Sequence, residues 1–121
     1  MKEERITIYT KSPKSLIILT DLLKLHQYEF DVSQKEENLF AKYLPQSKCL
    51  IVDSFITSKL TGIEFLMRNI KKLEDYSLFV FRTHHLSVKE EAFISEYKIN
   101  ILPKPIFPMM VYKRLSQVLQ I

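Results

Sequence analysis

Hydrophobic and polar positions along the chain form short apolar runs that alternate with longer segments of helical periodicity. The first run alternates and is rich in β-branched residues, as half-buried strands are, and the later ones are short, apolar and flanked by turn residues. This pattern predicts five strands, at residues 5–9, 28–32, 49–52, 77–81 and 99–102.

The segments between these runs carry apolar residues three and four positions apart, which is the spacing of an amphipathic helix. Ser12 and Pro13 supply a cap and a first-turn proline, and Ser87 and Glu90 form a capping-box pattern. The predicted helices run from Pro13 to about His26, over 35–44, over about 62–73, onward from Ser87 and onward from Pro108. Strands alternating with such helices favour right-handed βαβ crossovers, so we expect a three-layer α/β domain with a parallel sheet.

Polar residues follow three of the predicted strands at their carboxyl ends. Asp53 ends the third strand, Thr83 follows the fourth and Lys104 follows the fifth. Because the carboxyl ends of neighbouring parallel strands converge on one crevice, we expect these three side chains to share a site. The first strand runs into Thr10 and Lys11, so the same crevice receives a hydroxyl and an ammonium from that side.

Length and composition are those of an ordinary globular domain. The chain has 121 residues, of which 46% are hydrophobic and 26% charged, which fits one domain spanning residues 1–121. No apolar run approaches the ~20 residues needed to span a bilayer, and the N-terminus does not have the pattern of a secretory signal. We therefore expect a cytoplasmic protein without membrane contact.

Charge and rare residues exclude several classes of site. The net charge is +4, and the basic residues are scattered along the chain. Because they form no basic cluster, we predict no nucleic-acid partner. Gly62 is the single glycine, which excludes glycine-rich phosphate loops, and Cys49 is the single cysteine, which excludes an internal disulfide. His84 and His85 are adjacent but have no cysteine or carboxylate cluster at ligand spacing, so an exposed loop pair is favoured over a metal site.

The order of the elements and the residues at their ends resemble a bacterial response-regulator receiver domain over essentially the whole chain. Asp53 matches the residue that receives a phosphoryl group from a histidine kinase, Thr83 matches the switch hydroxyl, and Lys104 matches the lysine that holds the phosphoryl oxygens. The segments Gly-Ile-Glu-Phe-Leu at 62–66 and Lys-Pro-Ile-Phe-Pro at 104–108 also resemble that family. The resemblance implies a flavodoxin-like (βα)5 fold with strand order 2-1-3-4-5, and a histidine kinase or downstream signalling protein as partner.

One feature of the family is missing from this sequence. Receivers carry an acidic pair after the first strand that binds Mg²⁺ together with the phosphoryl-accepting aspartate, and here those positions are Thr10 and Lys11. Mg²⁺ needs an octahedral oxygen shell that usually includes one or two carboxylates, and Asp53 alone supplies one. An ammonium would repel the ion and attract the carboxylate, so we expect Lys11 to lie in the crevice and to pair with Asp53.

These observations predict an atypical receiver-like domain that is not an enzyme, binds no metal or cofactor, and acts by protein–protein contact, with a homodimer as one possibility. Two alternatives stay open. The first is a working single-domain response regulator that accepts a phosphoryl group on Asp53 by a less metal-dependent route, and only in that case do we expect Mg²⁺ as a cofactor. The second is a small flavodoxin-like ligand-binding domain or enzyme, against which the missing phosphate loop after the first strand counts.

Overall fold

The computed structural model describes residues 5–119 as seven strands and five helical segments. The strands are β1 (Arg5–Tyr9), β2 (Glu29–Ser33), β3 (Cys49–Val52), β4 (Phe55–Thr57), β5 (Leu60–Thr61), β6 (Ser77–Arg82) and β7 (Asn100–Pro103). The helices are α1 (Pro13–Leu25), α2 (beginning as Glu36–Asn38), α3 (Gly62–Leu73), α4 (Val88–Tyr97) and α5 (Pro108–Leu119).

Five of these strands form a parallel sheet in the order β2-β1-β3-β6-β7. Numbered within the sheet along the chain, this is the order 2-1-3-4-5, so the predicted fold is confirmed. The central strand β3 is buried at all four of its residues, as expected for a parallel strand that is covered on both faces.

Alternate residues of the central strands face two separate apolar layers. Cys49 and Ile51 pack in a cluster with α1 and α5. Leu50 and Val52 pack in a second cluster with α2, α3 and α4. The two-residue period of a strand therefore gives each face of the sheet its own helices, which completes the three layers.

The predicted helix over residues 35–44 is irregular in the structure. A single α-turn at Glu36–Asn38 continues as a π-helical turn at Leu39–Tyr43 and ends in a 3-10 turn at Leu44–Gln46. The amide of Leu44 donates to the carbonyl of Leu39, and both leucines are buried. The wider turn thus lets both side chains reach the core before Pro45, which cannot continue a helix.

Residues 54–61, which the sequence predicts as a loop, contain an antiparallel hairpin made of β4 and β5. Ile56 is buried, whereas Phe55 and Thr57 on either side of it are exposed, so the segment has the alternation of a strand over only three residues. The amide of Gly62 donates to the carbonyl of Ser54 at 2.9 Å. This bond holds the hairpin next to the end of β3.

Local signals for helix starts are reproduced in the structure. Ser12 caps α1 with Pro13 in its first turn, and Ser87 and Glu90 form the predicted capping box of α4. Thr61 and Glu64 form a capping box at α3 that the sequence analysis did not identify. Within residues 5–119, no helix is long and apolar enough to cross a membrane.

Candidate functional site

The candidate site is built around Asp53, which comes directly after β3 and is 3% exposed. Its amide donates to the carbonyl of Tyr9 at 3.1 Å, which extends the pairing of β1 with β3 by one residue. This bond places Asp53 beside Thr10, the residue that follows β1. The register of the two strands therefore brings these residues together.

Both carboxylate oxygens of Asp53 accept short hydrogen bonds. Oδ1 lies 2.6 Å from the Lys104 ammonium and 2.7 Å from the Ser54 amide. Oδ2 accepts from the Thr10 hydroxyl at 2.6 Å. A buried carboxylate is costly unless it is paired and hydrogen-bonded, and here a cation, a hydroxyl and a backbone amide meet that requirement.

Thr10 is fully buried and connects three parts of the site. Its hydroxyl proton is directed to Asp53, while the same oxygen accepts the amide of Ser12 at 3.0 Å. Ser12 in turn caps α1. One side chain thus ties the end of β1 to the aspartate and to the start of the first helix.

Lys104 reaches the aspartate from the end of β7, and the bond between Lys104 and Pro105 is cis. Its ammonium also donates to the buried hydroxyl of Ser15 in the first turn of α1 at 3.2 Å. Two partners on different elements therefore hold the cation in place. Ser15 and Ser54 were not identified from the sequence; a serine directly after Asp53 was a usable signal, whereas nothing local marks Ser15.

The environment of Asp53 acts on its pKa in two directions. Burial favours the neutral acid and raises the pKa. The hydrogen bonds from Lys104, Thr10 and the Ser54 amide, together with the charge of Lys104, outweigh burial and hold the pKa of the Asp53 carboxyl below its usual value. The ionised carboxylate is thus the form that the folded protein stabilises.

Thr83 lies just after β6 and is exposed. It lines a cavity together with Lys104, so it sits at the same edge of the sheet. Among the hydrogen bonds of the described residues, none joins Thr83 to Asp53. The structure therefore gathers Asp53, Thr10 and Lys104 into direct contact and leaves Thr83 at the rim.

The prediction that Lys11 lies in the crevice and pairs with Asp53 is wrong. Lys11 is exposed, and among residues 5–119 the cation that pairs with Asp53 is Lys104. The hydroxyl oxygen of Thr10 accepts the amide of Ser12, two residues further on, so the chain turns directly after β1. Within this turn, Thr10 is buried against Asp53 and Lys11 is exposed.

The donor set of the site does not fit Mg²⁺. The ion prefers carboxylate, carbonyl and water oxygens, and Asp53 is the one carboxylate among the residues described around the site. One of its oxygens already accepts from an ammonium, and the other from a hydroxyl. Lys104 and Thr10 both donate hydrogen bonds to Asp53, and the Lys104 ammonium would repel a divalent cation.

Comparison with known proteins gives structural neighbours only. No family model matches the sequence, and no curated protein matches it. A CheY-like response regulator receiver domain from Methanospirillum hungatei superposes with a TM-score of 0.76 at 15% identity, covering 98% of this chain and 95% of the other. Chemotaxis protein CheY4 of Vibrio cholerae gives 0.72 at 19% identity, covering 97% and 99%.

The receiver domain of a putative LuxO repressor protein from Vibrio parahaemolyticus superposes with a TM-score of 0.78 at 15% identity, over 98% of this chain and 92% of that one. These matches extend over nearly the whole length of both partners. The chain therefore has the fold of CheY-like response-regulator receiver domains.

Proposed function

We propose that this protein is an atypical receiver-like signalling domain that acts by protein–protein contact and is not phosphorylated by a Mg²⁺-dependent route. The observation that carries the proposal is the state of Asp53, which is 3% exposed with both oxygens bonded to side chains of the protein. The receiver fold supports a role in signal transduction. The altered site supports the part of the proposal that excludes Mg²⁺-dependent phosphorylation.

The contacts of Asp53 count against phosphoryl transfer to this residue. A carboxylate oxygen must be free to attack phosphorus, and positive charge must neutralise the crowded oxygens of the transition state. Here the Thr10 hydroxyl donates a hydrogen bond to one oxygen, and the Lys104 ammonium forms an ion pair with the other. An incoming phosphoryl group would have to displace the Thr10 hydroxyl from Oδ2, and no metal would compensate for the loss of that bond.

Output by contact fits the exposed surface of the protein. Phe107, Met109 and Met110, at the start of α5, are 52%, 64% and 47% exposed. Neighbouring exposed apolar side chains are a feature of protein interaction sites, and methionine adapts to differently shaped partners. A histidine kinase, a downstream signalling protein or a second copy of the chain are the partners that we propose for such a domain.

One observation favours a second candidate, a response regulator phosphorylated on Asp53. Lys104 contacts the aspartate at 2.6 Å, and Thr83 shares a cavity with Lys104, so the three residues that match the receiver family lie near one another. In this alternative, Thr10 would have to swing away when the phosphoryl donor arrives.

Restoring the acidic pair tests the proposal. The double variant Thr10→Asp, Lys11→Asp places one new carboxylate next to Asp53, at position 10, and a second at the exposed position 11. The wild type is expected to bind no Mg²⁺ at the site. Like charges at close range destabilise each other, so the variant should unfold at a lower urea concentration without Mg²⁺ and recover when Mg²⁺ is added.

Lys11→Asp alone is the matched control, because it changes the same charge at an exposed position. The stability of this control to urea should change little when Mg²⁺ is added, since the Thr10 hydroxyl still donates to the Asp53 carboxylate. Saturable Mg²⁺ binding by the wild type, measured by calorimetry and lost in Asp53→Asn, would contradict the proposal.

A further inference from the structure

A cavity of about 300 Å³ lies between the start of α1 and the segment that follows β7. It is distinct from the cavity that Thr83 lines, since Lys104 is the one described residue that borders both. Its volume is at the lower end of the range for small-molecule sites. Its lining divides into a polar part and an apolar part, which together indicate the kind of molecule that fits.

The polar part of the lining belongs to the first turn of α1. Lys14 is exposed and forms no ion pair with another residue of the described range. The Ser12 hydroxyl accepts the amide of Ser15 at 3.3 Å, and the Ser15 hydroxyl, on a side chain that is 4% exposed, accepts from Lys104. Neither hydroxyl donates to a described residue. One ammonium and two hydroxyl protons are therefore available to a ligand.

The charge that this part of the cavity offers is a single positive one. None of the described residues that line the cavity is acidic. The ammonium of Lys104 is already paired with Asp53, so the charge that remains for a ligand is that of Lys14. One unpaired ammonium beside two hydroxyl donors matches a monovalent carboxylate, whose two oxygens accept several hydrogen bonds.

The other part of the lining is apolar. Ile18 follows Lys14 by four positions, which places both on the same face of α1, and the segment after β7 contributes Pro105 and Ile106. Both isoleucines are partly exposed, so a hydrocarbon chain that covered them would remove apolar surface from water. A wholly polar ion would gain nothing from these side chains. The lining as a whole therefore favours a carboxylate that carries a hydrocarbon chain.

We propose that this cavity reversibly binds a short-chain aliphatic monocarboxylate. The carboxylate oxygens accept hydrogen bonds from Lys14 and from the hydroxyls of Ser12 and Ser15, and the hydrocarbon chain covers Ile18 and Ile106. The ligand is held without a covalent bond.

The proposed ligand would be connected to the buried ion pair through one side chain. Ser15 accepts from Lys104 at 3.2 Å, and Lys104 lies 2.6 Å from Asp53. A ligand bonded to Ser15 therefore contacts the network around the aspartate without contacting the aspartate itself. The inference does not depend on the proposed function, because it holds whether or not Asp53 accepts a phosphoryl group.

Titration of the ¹⁵N-labelled protein with sodium acetate, propionate, butyrate and pentanoate tests the site, at neutral pH and at constant ionic strength set with sodium chloride. The amide resonances of residues 14–18 and of Ile106 should shift saturably. The Kd should fall about two- to fourfold with each added methylene, because full burial of one methylene corresponds to about fourfold. Butylamine, which carries an ammonium in place of the carboxylate, should cause no saturable shift.

Four variants test the two parts of the lining separately. Lys14→Gln should raise the Kd for butyrate about threefold or more, as loss of one solvent-accessible charge-assisted bond implies. Lys24→Gln removes an exposed lysine from the last turn of the same helix and should leave the Kd unchanged. Ile18→Thr should weaken the dependence of the Kd on chain length, whereas Ile17→Thr, at a position that is 61% exposed, should not. Thermal unfolding establishes that each variant is folded.

Several results would overturn the inference. They are shifts that never saturate, a Kd that is the same for all four acids, and equal Kd values for butyrate in Lys14→Gln and the wild type. Shifts confined to residues 82–85 would also overturn it, because they would place the anion in the cavity that Thr83 lines. If acetyl phosphate modifies Asp53 covalently while butyrate binding still depends on Lys14, the proposed function fails and the carboxylate site stands.

Discussion

Lys104→Met is expected to lower the free energy of unfolding by about 3 kcal/mol at neutral pH, near the lower end of the cost of breaking a buried ion pair. The reason is that Asp53 stays buried after its cation is removed. Thr10 and the Ser54 amide still bond the carboxylate, which limits the loss. Urea unfolding of the variant and the wild type measures the difference.

The effect of Lys104→Met should depend on pH in a defined direction. In the wild type the pKa of Asp53 is lowered, so the stabilisation is present above the unfolded-state pKa of about 4 and is lost as the pH falls through the lower folded-state value. Without Lys104, burial raises the pKa. The stability gap between the two proteins should therefore narrow as the pH falls from neutral towards about 4.

Two further variants control this experiment. Lys113→Met removes an exposed lysine from α5 and should cost little, because exposed charges contribute little to stability. The double variant Asp53→Asn, Lys104→Met removes both charges and should recover part of the loss. A cost for Lys104→Met no larger than that for Lys113→Met would refute the role assigned to the ion pair.

Gly62→Ala is expected to destabilise the fold by about 3 kcal/mol or more, at the upper end of the cost of overpacking a core. A Cβ atom at this position would lie 2.1 Å from the backbone oxygen of Asp53 and 2.8 Å from Cγ2 of Val80. The first contact is with backbone, so rotation of a side chain cannot relieve it. Either the start of α3 would have to move away from the end of β3, or the backbone at Asp53 would have to shift.

Thermal unfolding of Gly62→Ala, with Lys71→Ala on the exposed side of the same helix as control, measures this cost. The control changes α3 without adding a contact and should unfold near the wild-type temperature. If Gly62→Ala unfolds at the same temperature as the control, then the glycine is not required by close packing at the end of β3.

The sheet and most helices were predictable because their signals are local. The strands are short apolar runs, and the helices begin at recognisable caps such as Ser12 and Ser87. Convergence of Asp53 and Lys104 followed from the rule that parallel strands end at one edge. Features of this kind need no knowledge of the packing between distant side chains.

The features that the sequence did not predict depend on the direction of a side chain or on a contact between residues far apart in the chain. Thr10 and Lys11 both matched the missing acidic pair, but only Thr10 is buried, and Lys11 is exposed in the turn after β1. Ser15 meets Lys104 from 89 positions away in the sequence. The hairpin after Ser54 was missed because its strands are only three and two residues long.

Whether Asp53 accepts a phosphoryl group can be read from the intact mass of the protein after incubation with acetyl phosphate and Mg²⁺. We expect the wild type to keep its unmodified mass, as Asp53→Asn does in the same experiment. A gain of one phosphoryl group in the wild type that is absent from Asp53→Asn would contradict it.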